Sequence, residues 1–295
     1  MPDIVFVGVT TGPSLVHEAM SMWQTELGVS CRVRGVDVAL DADDATYVRF
    51  LEDICEDESA AGAIITAHKV KMFRAGASLF KALDPLALAC KEVNAIRRQS
   101  DGLLGWARDP ISVGRVVARI WPESEGQVIC LGAEGTARAL AHHLFTNGPP
   151  VQFICADPSR RAVEELTRLA PNSVLGHVGP GPWDDLVSKA APGSLIVNAT
   201  GMGKDRPGSP ITNGATFPAR AVVWELNYRG DLQFLVQAHL QAGQSQLQVH
   251  DGWQLFCHGW AAGLTVVLDL PDDDDLGDRF GAVTRSLRPT RAGTT

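Results

Sequence analysis

Gln127-Val-Ile-Cys-Leu-Gly132-Ala-Glu-Gly135-Thr136 is an apolar run that breaks on a glycine and passes into residues 137–145, whose apolar side chains recur at helical spacing. A strand that ends in a glycine turn and opens a helix is the setting of a dinucleotide-phosphate turn. Gly132 permits the tight turn, and Gly135 lets the backbone approach a diphosphate held on the free amides and positive end of the helix. The fingerprint is degenerate: Glu134 stands where a second glycine is usual, and Ala139 serves as the third small residue. The bland alternative is a plain strand-to-helix turn, where glycines are common.

The next apolar run, 151–155, leads to Asp157. A carboxylate there can accept hydrogen bonds from both ribose hydroxyls and repels a 2′-phosphate, which favours NAD over NADP. Two alternatives stay open: Asp157 caps a helix opening at Pro158, or Arg160 or Arg161 meets a phosphate after all. The expected cofactor contacts here are Gly132, Ala133, Glu134, Gly135, Thr136, Asp157 and Arg160.

Upstream, short apolar runs alternate with amphipathic stretches, the signature of α/β architecture with mostly parallel sheets. Strands are expected at 4–9, 33–38 and 63–66, with a helix capped by Ser14 and stopped by Gly28, and another around 45–54. Gln99-Ser-Asp-Gly102 reads as a hairpin turn between two short strands. Asp109-Pro110 is a helix start, a carboxylate cap with proline at the first helical position. Downstream, strands are expected at 194–198 and 221–226, helix at 231–242, an extended piece at 247–250 and a last helix at 253–268. The reading is two domains: residues 1–108, completed by 251–270, and a Rossmann-type unit at 109–250, with 271–295 as a loose tail.

Composition bounds the function. The 295 residues carry 45% hydrophobic and 20% charged side chains and a net charge of −8. An acidic chain without a basic cluster is a poor nucleic-acid or membrane binder. Its six cysteines include no CxxC pair, so a reducing cytoplasm is expected rather than a disulfide framework. The N-terminus lacks a signal peptide's charged region, and no run is long enough to span a bilayer. None of the eight histidines pairs at ligand spacing with a carboxylate or thiolate, so no metal is expected. Asp272–Asp275 reads as a solvated acidic run.

In order along residues 4–268, the chain resembles the shikimate/quinate dehydrogenase family. Gly62-Ala-Ile-Ile-Thr66-Ala-His68-Lys69 is similar to that family's Asn-Val-Thr-x-Pro-x-Lys, one residue short and lacking the proline. Lys91-Glu-Val-Asn94-Ala resembles Gly-Ala-x-Asn-Thr, and Gly105-Trp-Ala-Arg108-Asp109 resembles Gly-x-Asn-Thr-Asp. Asn198-Ala-Thr200-Gly201-Met202-Gly is similar to its Asn-Ala-Thr-Ser-x-Gly loop near the cofactor, and Trp224-Glu-Leu-Asn-Tyr228 to its Tyr-Asp-x-x-Tyr segment. Asp157 replaces part of an Asn-Arg-Thr motif, losing the arginine that reads the NADP phosphate. At the start of the chain, Thr11-Gly-Pro13-Ser14 departs from the Ser-x-Ser pair that grips a substrate carboxylate, and His258 stands near a substrate-binding glutamine.

The resemblance implies an N-terminal substrate domain, a central nucleotide domain and a last helix returning to the first. It implies hydride transfer between NAD or NADP and a hydroxylated cyclic, shikimate- or quinate-like substrate. Lys69 and Asp109 would handle the proton, and a lysine close to a reacting oxygen is suited to that task. For Lys69 the bland reading is a surface lysine; for Asp109, a helix cap. The implied substrate contacts are Thr11, Ser14, Thr66, Asn94, Arg108, Tyr228 and His258, with Arg108 able to meet a carboxylate as an always-charged fork. Asn198, Thr200, Gly201 and Met202 join the cofactor contacts. Trp106 and Trp253 are expected near substrate, and His258 is weighed evenly between packing and contact. The small-molecule substrate is the expected partner, the chain a monomer or homodimer. The rivals are an oxidoreductase of a different small polar substrate and a relative that binds nucleotide or metabolite without turnover.

Overall fold

The structure, a computed structural model, describes residues 1–122, 126–147, 151–169, 173–204 and 206–289. It divides into two compact units, residues 1–112 with 257–295, and residues 113–256.

In chain order the first unit contains β1 (Asp3–Gly8), α1 (Val16–Leu27), β2 (Arg32–Asp37), α2 (Asp44–Glu56), β3 (Ala60–Ile65), α3 (Lys69–Gly76), β4 (Phe80–Leu83), α4 (Pro85–Cys90), β5 (Ala95–Gln99) and β6 (Gly102–Trp106). Helix α5 (Asp109–Ile120) carries the chain into the second unit. The six strands form one sheet in the order β2-β1-β3-β5-β6-β4. β1 pairs in parallel with both β2 and β3, and every one of its residues is buried, as a near-continuous apolar strand inside a parallel sheet should be. The β5–β6 hairpin expected from Gln99-Ser-Asp-Gly102 is present, with Gln99 opposite Gly102. Tyr47, Phe50, Leu51 and Ile54 of α2 pack with Val5, Ile65 and Met72 on one face of the sheet.

The second unit contains β7 (Gln127–Leu131), α6 (Thr136–Asn147), β8 (Gln152–Asp157), α7 (Arg160–Thr167), β9 (Val174–Val178), α8 (Asp184–Ser188), β10 (Leu195–Asn198), β11 (Val222–Glu225), α9 (Gln233–Ser245) and β12 (Gln248–His250). α10 (Trp253–Val267) returns to the first unit, where α11 (Leu276–Val283) follows. This sheet is wholly parallel in the order β12-β11-β10-β7-β8-β9, the doubly wound arrangement in which strand order reverses between β7 and β10. Ligands of such sheets sit beyond the strands' carboxyl ends at that switch point.

Three local expectations are corrected. Ser14 is not the cap of α1: the helix starts at Val16 with Leu15 in the cap position, and the Ser14 hydroxyl lies 3.5 Å from the Val16 amide. α7 begins at Arg160 rather than Pro158, because the Ser159 hydroxyl accepts from Ala162 N–H at 3.2 Å. The chain after Pro271, expected as a loose tail, folds as α11 over residues 276–283; only 290–295 of that expectation lie outside the described residues. Phe280 is fully buried and stacks on Trp23, with ring centroids 4.5 Å apart at 6°. The Trp23 indole N–H donates to the Phe280 carbonyl at 3.2 Å. Burying a phenylalanine contributes roughly 1.5–3 kcal/mol, and Leu276 and Gly277 of α11 are buried with it.

Candidate functional site

Lys69 is the first residue of α3, where the end of β3 turns into helix, and it is buried. Its ammonium donates to Asp109 Oδ2. The Asn94 side-chain amide donates to the other oxygen, Oδ1. Asn94 Oδ1 accepts from Arg108 N–H at 2.7 Å, so the residue before Asp109 is fixed by the same side chain. Backbone bonds hold the frame: Val93 N–H donates to Lys69 O at 3.1 Å, and Asn94 N–H to Trp106 O at 2.9 Å. Desolvation lowers the pKa of the buried ammonium, but attraction to the Asp109 and Glu92 carboxylates and the hydrogen bond to Asp109 outweigh it, so the net shift is upward. The bland surface reading of Lys69 is thereby excluded, and Asp109 both starts α5 and faces the lysine.

The residue before Lys69, which sequence adjacency already marks as a candidate support, holds the turn from behind. His68 is buried, its Nε2 lying 2.9 Å from Val38 O and its Nδ1 3.0 Å from the Tyr47 hydroxyl. Donation of Nε2–H to the carbonyl and acceptance of the phenol proton at Nδ1 satisfy a neutral ring. Burial pushes the imidazole pKa below its usual value, the Val38 carbonyl acting against it.

In the second unit the turn between β7 and α6 has Gly132 at φ 111° and Gly135 at φ 52°. A Cβ on Gly132 would lie 2.7 Å from both the carbonyl carbon and oxygen of Ala199, so the turn packs against the loop after β10 as only glycine allows. A cavity of about 750 Å³ beside it is lined by Glu134, Asp157, Trp183, Thr200, Met202 and Arg206 among others. Asp157, at the end of β8, accepts from Ala133 N–H at 3.1 Å and from Ser159 N–H at 2.8 Å. Arg160 is exposed and is not among the lining residues; Arg161 is paired with Glu165 at 2.9 Å.

The loop after β10 is organised from below. Asn198, fully buried, accepts at Oδ1 from the Thr200 amide at 3.1 Å and hydroxyl at 2.7 Å, and Met202 N–H donates to the Thr200 hydroxyl at 3.1 Å. Gly201 takes φ 73°. Asn198 Nδ2 in turn donates to Glu225 Oε2 at 2.6 Å, while Glu225 Oε1 accepts from the Asn227 amide at 2.8 Å and side chain at 2.6 Å. Glu225, which the sequence marked through its Trp-Glu-x-x-Tyr segment, is a positioning group at the end of a wholly buried strand.

No protein-family model matches the chain. A curated relative, the NADP(+)-dependent shikimate dehydrogenase of Streptococcus gordonii, is 32% identical over 155 residues, 50% of this chain and 52% of the relative. The chain thus spans about half the length of such relatives. Among solved structures, the shikimate 5-dehydrogenase of Thermus thermophilus in complex with shikimate superposes with a TM-score of 0.72 at 19% identity, covering 97% of this chain and 99% of that one. The quinate dehydrogenase of Corynebacterium glutamicum in complex with NAD gives 0.70 at 19%, covering 95% and 99%. The chain is similar in sequence to shikimate dehydrogenases over part of its length, and in fold to shikimate and quinate dehydrogenases over nearly all of it.

Several residues expected at the substrate have other partners in the structure. Thr11 is buried, and its amide and hydroxyl both donate to Asp37 Oδ1, at 2.7 and 2.5 Å, bonds that hold the Asp37 carboxyl below its usual pKa. Arg108 donates to Asp272 at 3.2 Å, so the fork expected to be open for a substrate acid is met by the acidic run. His258 is fully buried, its Nε2 3.3 Å from Asp278 of α11: packing, the bland reading, is what the structure shows. Ser14 is buried at the start of α1. Thr66 is exposed and donates its hydroxyl to Val7 O at 3.2 Å. Tyr228 lies in the second unit, packed on Phe256 and Trp253 at 4.4 and 5.8 Å. Trp253 is buried, and Trp106 is half-buried under the Arg97 guanidinium. Among the described residues no group of three or more His, Cys, Asp or Glu side chains could hold a metal.

Proposed function

We propose that the chain is an NAD(P)-dependent dehydrogenase that interconverts a secondary alcohol and a ketone on a hydroxylated ring of the shikimate or quinate kind. The observation that carries this reading is the buried Lys69 ammonium held on Asp109, itself fixed by Asn94, in a chain related to shikimate dehydrogenases. A second reading, a different small polar substrate, draws on Thr11 and Arg108 being tied to Asp37 and Asp272.

The residues of the second unit fit a dinucleotide. Gly132 leaves the turn bare of side chain, the free amides at the start of α6 suit a diphosphate, and Asp157 on the cavity wall suits ribose hydroxyls. Gly135, Ala133 and Thr136 would line the diphosphate; Asn198, Thr200, Gly201 and Met202 would bound the other side. A nicotinamide held there would supply the hydride acceptor or donor. Lys69 handles the proton: during oxidation it passes its own proton to Asp109 as it takes one from the substrate hydroxyl, and reduction runs the same path backwards. The ammonium also stabilises negative charge developing on that oxygen. Asn94 keeps Asp109 turned toward Lys69 throughout.

NAD is the favoured cofactor, because Asp157 would face a 2′-phosphate with like charge. Replacing Asp157 with serine should lower the NAD preference by about tenfold or more, one charge interaction of roughly 1.4 kcal/mol. We assign the chain to the cytoplasm as a monomer or homodimer without nucleic-acid partners. All six cysteines are free thiols, the net charge is −8, and no helix among the described residues is long and apolar enough to cross a membrane.

The test is a screen of quinate, shikimate, aminoshikimate and cyclitols with NAD and NADP, followed by nicotinamide absorbance. Turnover of a ring polyol with NAD supports the proposal. Thermal stabilisation by nucleotide with no turnover of any of them would identify a binding protein instead.

A further inference from the structure

Glu92 is fully buried on the turn between α4 and β5, just after Lys91 turns the chain at φ 52°. Its two successors are both tied to the Lys69 cluster: Val93 N–H donates to the Lys69 carbonyl, and Asn94 donates to Asp109. A carboxylate wholly removed from water costs several kcal/mol unless a counter-charge faces it. Lys69 is a buried lysine of the same unit, and the Glu92 carboxylate acts on its ammonium. A fully buried carboxylate thus stands one residue before the backbone bond that ties this turn to Lys69.

We infer that Glu92 is a second carboxylate partner of Lys69, a positioning residue that keeps the ammonium charged independently of Asp109. The inference deepens the proposed function, on which its catalytic consequence rests. With Asp109 alone, moving a proton onto that carboxylate would leave the lysine without a counter-charge. With Glu92 also present, the charge on Lys69 keeps a partner at each stage of proton transfer. The charged and titratable groups that act on Lys69 are Asp109 of α5, Glu92 of the turn and, more weakly, Cys90 at the end of α4, and their attraction raises its pKa against desolvation.

Two measurements test this. The first is a stability cycle in urea that needs no turnover. Glu92→Gln should lower the unfolding midpoint of the wild-type chain but raise that of Lys69→Met, since without the ammonium the buried carboxylate is left uncompensated. A change of the same sign and size in both backgrounds overturns the inference. Should Glu92→Gln alone fail to fold, folding of the Lys69→Met/Glu92→Gln double variant supports the pairing, and its failure counts against it. The second is the pH profile of ketone reduction, which needs Lys69 protonated. Removing Glu92's charge should move the high-pH loss of kcat/KM down by about one unit or more, with cofactor KM unchanged; an unmoved limb overturns the inference. If no substrate turns over, the proposed function fails while the stability cycle still decides the role of Glu92.

Discussion

Gly132→Ala probes the nucleotide side most sharply. At φ 111° residue 132 occupies backbone space that L side chains rarely adopt, which costs about 1–2 kcal/mol by itself. The added methyl would sit 2.7 Å from the carbonyl carbon and oxygen of Ala199 and 3.0 Å from Thr200 N, all backbone atoms that no rotamer change can move. The turn is pinned from the other side too, since Gly132 N–H donates to Ala156 O at 2.8 Å. Relief therefore demands a shift of the β7–α6 turn or of the 199–200 loop, an overpacking strain of about 1–3 kcal/mol. Total destabilisation of about 2–5 kcal/mol is expected, with NAD affinity falling at least about tenfold because both candidate phosphate and nicotinamide walls move. Urea unfolding followed by tryptophan fluorescence reads the first, and calorimetric titration with NAD the second. Gly243→Ala is the control: it lies in α9 with open space around its would-be Cβ, so it should be neutral or stabilising by up to about 1 kcal/mol. A Gly132→Ala protein with wild-type midpoint and affinity would refute the assignment of this turn.

Other outcomes follow from the first unit. Asp109→Asn should cost about 3–5 kcal/mol at pH 7, because it breaks a buried ion pair and sets an amide against the donors of Lys69 and Asn94. The pair raises the lysine's pKa, so its stabilisation is complete below the unfolded lysine value and fades only as pH climbs through the higher folded value. Denaturation midpoints at pH 6, 7 and 8 should therefore show the same deficit, and a deficit that vanishes at pH 8 would contradict the sign. Phe280→Ala should destabilise by about 3–5 kcal/mol and expose Trp23 to quenchers; a neutral effect would return residues after Pro271 to a loose tail.

Much of the fold was legible because its signals are local. The apolar run into Gly132, the Asp109-Pro110 helix start and the Gln99-to-Gly102 turn each need only a few adjacent residues. β9 escaped because exposed Gly176 and His177 interrupt its apolar pattern on an edge strand. α11 escaped because four aspartates read as a solvated run. In the structure that run is met by cations from elsewhere, Asp272 by Arg108 and Asp273 by Arg279 at 2.7 Å, and the apolar face of the helix closes over Trp23. The candidate site divides the same way. Lys69 and Asp109, forty residues apart, were brought together by family resemblance and not by spacing. The partners of Thr11 and His258, Asp37 and Asp278, depend on tertiary neighbours that no window of sequence contains.

In the proposed reaction the Lys69 nitrogen moves the proton of the reacting hydroxyl. The most direct measurement of that role is kcat of Lys69→Met beside that chain's affinity for NAD, on the best substrate from the screen. kcat should fall about a hundredfold or more with NAD binding unchanged, because the lysine and the nucleotide turn belong to different units. A variant that turns over at the wild-type rate would contradict it.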